Sequence, residues 1–166
     1  MKDKKIETNK IEQEKKEQKP ESKIEEKKEE KPTTKLVKKT EAIARGNNFH
    51  ASMKQCKYIC RFIKNKLIDN AIAELEDVIK LKRAIPFKGE IPHRKGMMSG
   101  RYPINASKLF IQLLKTLRGN SLVNQMDLDK TRIYFASATW ASRPSKRGGS
   151  RFKRTNVILK AKEVVN

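Results

Sequence analysis

Six of the twelve residues from Arg143 to Arg154 are Lys or Arg, and none is acidic. They are Arg143, Lys146, Arg147, Arg151, Lys153 and Arg154. Such side chains neutralise phosphate, and arginine can also fork across two oxygens or stack on a base. Gly148-Gly149 is a turn signal at the centre. Segments that read as strands, Thr131 to Ala141 and Asn156 to Lys162, flank it. The chemistry is non-covalent capture of a polyanion at the end of a hairpin.

A second set combines charge with an aromatic ring: His93, Arg94, Lys95, Arg101 and Tyr102. A third, Lys54 with Lys57, Arg61 and Lys64, can track a phosphate backbone along one helix. Covalent chemistry finds no support. There is no Walker-type loop, no His/Glu metal pair and no nucleophile–base set. Asp69, Glu74 and Asp77 read as a helix cap and a solvated face. His93 has only His50 for company, and no Cys/His spacing supports zinc. The expectation is a protein without catalysis, metal or cofactor.

The totals agree. The 166 residues carry a net charge of +21, which points to nucleic acid or an anionic membrane surface. Residues 41–166 hold 26 Lys+Arg against 9 acids, so the positive field belongs mainly to them. No run approaches the roughly 20 apolar residues of a membrane span, and no apolar signal core follows Met1. Cys56 and Cys60, four apart in a helical pattern, read as reduced core residues of a cytosolic protein.

The elements that position the cations follow from periodicity. Residues 1–39 are Lys/Glu-rich, too poor in apolar residues to bury a core, and read as a disordered tail. Residues 40–166 form the domain. Ala42 to Phe49 reads as a short strand broken at Arg45-Gly46-Asn47-Asn48. Ser52 is the expected N-cap of a first helix with Cys56, Ile59, Cys60 and Ile63 on its apolar face. Asp69 is the expected cap of a second, with Ile72, Leu75, Val78 and Ile79 inward. Residues 84–102 lack periodicity and read as a loop. Pro103 opens a third helix, its stripe being Ala106, Leu109, Phe110, Leu113, Leu114 and Leu117, and Gly119-Asn120 is its expected stop. The fold class is α+β: three helices packed on a small three-stranded antiparallel sheet, with a long basic β-hairpin over about 131–162.

A two-residue turn at Gly148-Gly149 sets Trp140 opposite Val157, Ala138 opposite Leu159 and Ala136 opposite Ala161. Tyr134, Ala136, Ala138 and Trp140 then share an apolar face at the hairpin base. The same register sets Arg143 against Arg154 and Lys146 against Arg151. Like charges directly opposed are destabilising, so the tip is expected to order only against phosphate.

Three stretches together resemble one family. They are Leu81-Lys82-Arg83-Ala84-Ile85-Pro86-Phe87, then His93-Arg94-Lys95-Gly96, then Gly100-Arg101-Tyr102-Pro103-Ile104-Asn105-Ala106. With the helix order and terminal hairpin, the chain resembles the L-twenty-two family of large-subunit ribosomal proteins (L-seventeen in eukaryotic usage), in its archaeal and eukaryotic branch, over about residues 41–163. Ser52 and Lys54 match the family's start of the first helix, and Lys82, Arg83, Pro86 and Phe87 match its basic-Pro-Phe turn. The resemblance implies a cytoplasmic, ribosome-associated protein that binds large-subunit ribosomal RNA and supports assembly. Its partners would be that RNA, neighbouring ribosomal proteins and, near the tip, the nascent peptide, since the family's hairpin lines the exit tunnel. The tip here, Pro-Ser-Lys-Arg-Gly-Gly-Ser-Arg, departs from the family's Pro-Arg-Ala-x-Gly-Arg-like pattern. The alternative is a non-ribosomal architectural nucleic-acid-binding protein. Such proteins drive apolar wedges between bases, and only Phe152 lies near this tip.

Overall fold

Alternating burial runs from Glu41 to Gly46 in the first strand, β1 (Glu41–Phe49), with Ala42 and Ala44 turned into the core. The computed structural model describes residues 39–89 and 92–164, so the expected disordered tail lies outside the described residues apart from Lys39. The supposed break at 45–48 is a bulge within one strand. Asn48 takes the left-handed φ of 55°, and its N–H donates to Asn156 Oδ1 at 2.9 Å. Phe49 then folds over Gly46, where an added Cβ would stand 2.2 Å from the ring's Cζ.

Helix α1 (Met53–Ile63) buries Cys56, Ile59, Cys60 and Ile63, the stripe its spacing requires. Ser52 occupies the N-cap position, yet its side chain makes no capping bond. Helix α2 (Ile68–Ile79) starts one step before Asp69, which is not its cap: extended Leu67 holds that position. The reason is the sheet. Leu67 bridges Arg132, so the helix begins where the chain leaves a strand edge. Asp69, in the first turn, pairs with Arg118 at 3.3 Å.

Residues 84–102 are more ordered than a loop. Strands β2 (Ile85–Pro86) and β3 (Gly100–Arg101) pair antiparallel. Two-residue strands are too short to leave a period. Helix α3 (Ile104–Val123) follows, with Pro103 at its N-cap, and runs straight through Gly119-Asn120. The stop signal is overridden by docking. Asn120 Nδ2 donates to the Ile43 carbonyl at 2.7 Å, and Asn124 Nδ2, one turn on, to the Glu41 carbonyl at 3.0 Å.

Strands β4 (Thr131–Trp140) and β5 (Thr155–Glu163) complete a three-stranded antiparallel sheet in the order β1-β5-β4. The described residues are thus α+β, with three helices and a small antiparallel sheet. Both outer strands of the sheet are engaged at their edges. The two asparagines hold β1. Along β4, Asn65 N–H donates to the Ile133 carbonyl at 2.8 Å and Ile133 N–H to the Lys66 carbonyl at 3.0 Å. The core lies between sheet and helices and centres on Phe110, Leu114, Leu117, Ile59, Ile133 and Leu159, all fully buried.

Burial pushes the Cys56 thiol up to about 11 and, with the neighbouring Cys56 adding to it, the Cys60 thiol up to about 12. Both are free. Folded thiols should therefore resist alkylation at pH 8, when a thiolate is needed, and react only on unfolding. Above about pH 9 the unfolded chain releases thiol protons that the folded chain retains. Stability should then fall with rising pH by up to about 1.4 kcal/mol per unit per thiol. Denaturation midpoints between pH 8 and 10, with and without Cys56→Ala and Cys60→Ala, check both points.

Candidate nucleic-acid interface

The β4–β5 hairpin keeps the expected facing but not the expected register. Ala138 pairs with Val157, Ala136 with Leu159 and Trp140 with Thr155, two residues from the register of a two-residue turn. The even slip preserves which side chains share a face, so Ala136 and Ala138 still pack on the core with Val157 and Leu159. A bulge between Ile133 and Phe135 then alters the base. Ile133, not Tyr134, is the residue β4 buries there. Trp140 is 56% exposed rather than packed at the base.

At the tip the backbone is paired across the two arms. Ser145 bridges Arg151, Lys146 N–H donates to the Ser150 carbonyl at 2.8 Å, and Phe152 N–H to the Pro144 carbonyl at 3.1 Å. These contacts sit one residue out of step with β4–β5. Lys146 thereby faces Ser150, and Arg151 faces Ser145. The register that opposed Lys146 to Arg151 is avoided. Arg147, Gly148 and Gly149 make the turn, and both glycines hold left-handed φ, 72° and 69°. Phe152 ties the tip to the body, its ring centroid 6.1 Å from that of His50.

Arg143, Lys146, Arg147, Arg151 and Lys153 are exposed, and Arg154 is half-buried. Among the described residues the ion pairs use Lys66, Arg83, Arg118 and Lys130, and none uses a tip cation. Arg154 Nε is buried with no hydrogen-bond partner among them. Arg143 lies over the Trp140 ring at 4.9 Å, and Lys146 over Phe152 at 5.7 Å.

The second set gathers on one small hairpin. Arg94 and Met97 exchange backbone bonds at 3.3 and 3.0 Å around Lys95-Gly96, with Gly96 at φ 75°. His93, Arg94, Lys95 and Arg101 are exposed. The Arg94 guanidinium lies 5.3 Å from the Tyr102 ring centre. Ser99 Oγ donates to the Phe87 carbonyl and ties this hairpin to β2. Gly100 is needed for packing: a Cβ there would stand 2.6 Å from Met97 Sδ and 3.1 Å from both Ala84 Cβ and Arg94 Cγ. Gly100→Ala should cost about 1–3 kcal/mol through overpacking and increase proteolysis around residues 93–98. Urea denaturation and limited digestion measure these.

Lys82 and Arg83 are both exposed, and Arg83 also has an acidic neighbour. It pairs with Glu74 at 2.9 Å, and Lys66 pairs with the same carboxylate. Lys66 and Arg83 also approach the Phe62 ring at 3.7 and 5.3 Å. Glu74 is therefore the centre of an ion cluster, not a solvated side chain. On α1, Lys54, Lys57 and Arg61 share a face. With Lys88, Met53, Tyr58 and Trp140 they line an open groove of about 540 Å³. Lys88 and the exposed Trp140 are contributors that sequence reasoning missed. Only an exposed-facing assignment of Trp140 would have signalled them.

A small α+β domain bearing basic hairpins whose cations make no ion pair among the described residues has the electrostatics that suit a polyanion. No protein-family model matches the chain. Curated relatives do. Large ribosomal subunit protein uL22 of Methanoculleus marisnigri is 38% identical over 103 residues, covering 58% of this chain and 67% of that protein. The namesakes in Methanoregula boonei (35% over 105 residues; 58% and 68%) and Methanocella arvoryzae (34% over 105 residues; 60% and 69%) match similarly. The chain belongs to the uL22 family of large ribosomal subunit proteins. Among the described residues no helix is long and apolar enough to cross a membrane.

Proposed function

We propose that the chain is a structural constituent of the large ribosomal subunit. It binds large-subunit ribosomal RNA and supports assembly, working in the cytoplasm on the ribosome. Residues 40–166 are the RNA-binding domain. The tip cations, the 93–102 hairpin, Lys54 and Lys82 meet phosphate, while Arg83 pairs with Glu74 at the surface. The long hairpin is directed toward the peptide exit tunnel, with neighbouring ribosomal proteins at the body and the nascent peptide near the tip. The observation that carries this reading, beside family membership, is the tip itself: six cations, none in an ion pair among the described residues, on a turn already shaped.

Crosslinking the chain in native ribosomes and mapping the RNA sites tests the proposal. Crosslinks from the tip and from residues 93–95 to large-subunit RNA are expected. Absence of the chain from purified large subunits overturns the proposal. Equal affinity for duplex DNA and structured ribosomal RNA at matched salt would favour an architectural DNA-binding role instead.

A further inference from the structure

The groove between α1 and the end of β4 has a composition that phosphate binding alone does not require. Its cations are Lys54, Lys57, Arg61 and Lys88, and no acid lines it among the described residues. Between them stand two aromatic rings, Tyr58 and Trp140. A site for backbone phosphates needs only the charges. Rings add something when the ligand has a flat apolar face.

The two rings are held differently. Tyr58 is braced: its ring centroid is 4.2 Å from that of Phe87 at an interplanar angle of 31°, and its hydroxyl donates to the Lys88 carbonyl at 3.4 Å. Trp140 is 56% exposed at the last position of β4, where the sheet ends. Tryptophan is enriched at interfaces, where a partner covers its apolar face. The Arg143 guanidinium lies over one face of its ring at 4.9 Å. The volume of about 540 Å³ is in the range of small-ligand pockets.

We infer that this groove receives an unpaired nucleotide, its base stacked on Trp140 and its flanking phosphates held by Lys54, Lys57, Arg61 and Lys88. The inference rests on the RNA-binding reading above and specifies its ligand as single-stranded rather than helical RNA at this site. Helical RNA keeps its bases stacked inside and offers no free face. Loops and bulges present splayed bases to aromatic side chains. The occupant is thus a looped-out base, not the rigid helix that the tip cations alone could grip.

Trp140 is the only tryptophan in the chain, so its fluorescence reports the groove without labelling. The full chain is titrated at fixed salt with a single-stranded oligoribonucleotide, a duplex of equal phosphate number, and an abasic strand of equal length. Only the base-bearing single strand should quench Trp140. Trp140→Ala should weaken that strand's binding by about 5- to 150-fold, the range for loss of one stacked base, and leave abasic binding unchanged. Trp140→Tyr should restore most of the loss. Equal quenching by the abasic strand or the duplex overturns the inference while leaving RNA binding intact. Quenching by an acidic peptide but by no RNA also overturns it and makes the groove a protein site. Failure of all three nucleic acids to bind at low salt overturns the RNA-binding reading itself.

Discussion

Raising the salt from 50 to 200 mM lowers the affinity of the full chain for large-subunit ribosomal RNA by about 10³- to 10⁵-fold, as expected for roughly 6–10 neutralised phosphates. The mechanism is counterion release. Each cation that meets a phosphate frees an ion whose entropy gain shrinks as bulk salt rises. The tip carries six such cations. Replacing all six with Gln should therefore reduce the slope of log affinity against log salt by about four to five. Arg83→Gln should leave that slope nearly unchanged, since its charge is already spent on Glu74. It should lower stability instead. Filter-binding titrations across the salt range read both. A flat response, or an equal fall in slope from Arg83→Gln, would show that the tip is not the electrostatic anchor.

Phe110→Ala should destabilise the domain by about 3–5 kcal/mol, a large part of the roughly 5–15 kcal/mol that holds a domain folded. Phe110 is fully buried in α3, and its ring meets Phe49 edge-on, centroids 6.5 Å apart at 71°. Phe49 in turn closes over Gly46. The helix, the bulged end of β1 and the glycine are thus one packing unit. The urea midpoint should fall with little change in the slope of the transition. Gly46→Ala should also be costly in the native chain, since its Cβ would stand 2.2 Å from Phe49, and much cheaper in a Phe49→Ala background. Additive effects would separate the two residues and refute the unit.

Where burial has a period, the fold was legible. Cys56, Ile59, Cys60 and Ile63 announce the inner face of α1, and the small, alternating residues of β4 and β5 announce which sides face inward. Register is a different quantity. It depended on turn length and on two single-residue slips, and nothing local to Gly148-Gly149 separates a two-residue from a three-residue turn. The errors at helix ends have one cause. Asn120 and Asn124 reach β1, and Leu67 reaches β4, so tertiary bonds set boundaries that Gly119 and Asp69 would have set in an isolated helix. The charged half of the candidate site was legible because cations need only be counted. The aromatic half was not, because Trp140 and Lys88 converge only after the sheet has been assembled. Arg83 shows the converse: its type suggested phosphate, while Glu74, nine residues earlier and on the facing surface, claims it.

The engagement of both margins of the sheet has a bearing on the time between synthesis and incorporation. A newly made copy is highly charged, and mutual repulsion keeps such copies apart. A bound polyanion would remove that repulsion. Strand-to-strand accretion would then be the danger, because an open strand recruits any neighbour. Asn120 and Asn124 on one margin, and residues 65–67 on the other, close part of each edge to such pairing. Those bonds are between neutral groups, so they persist whatever happens to the charge around them.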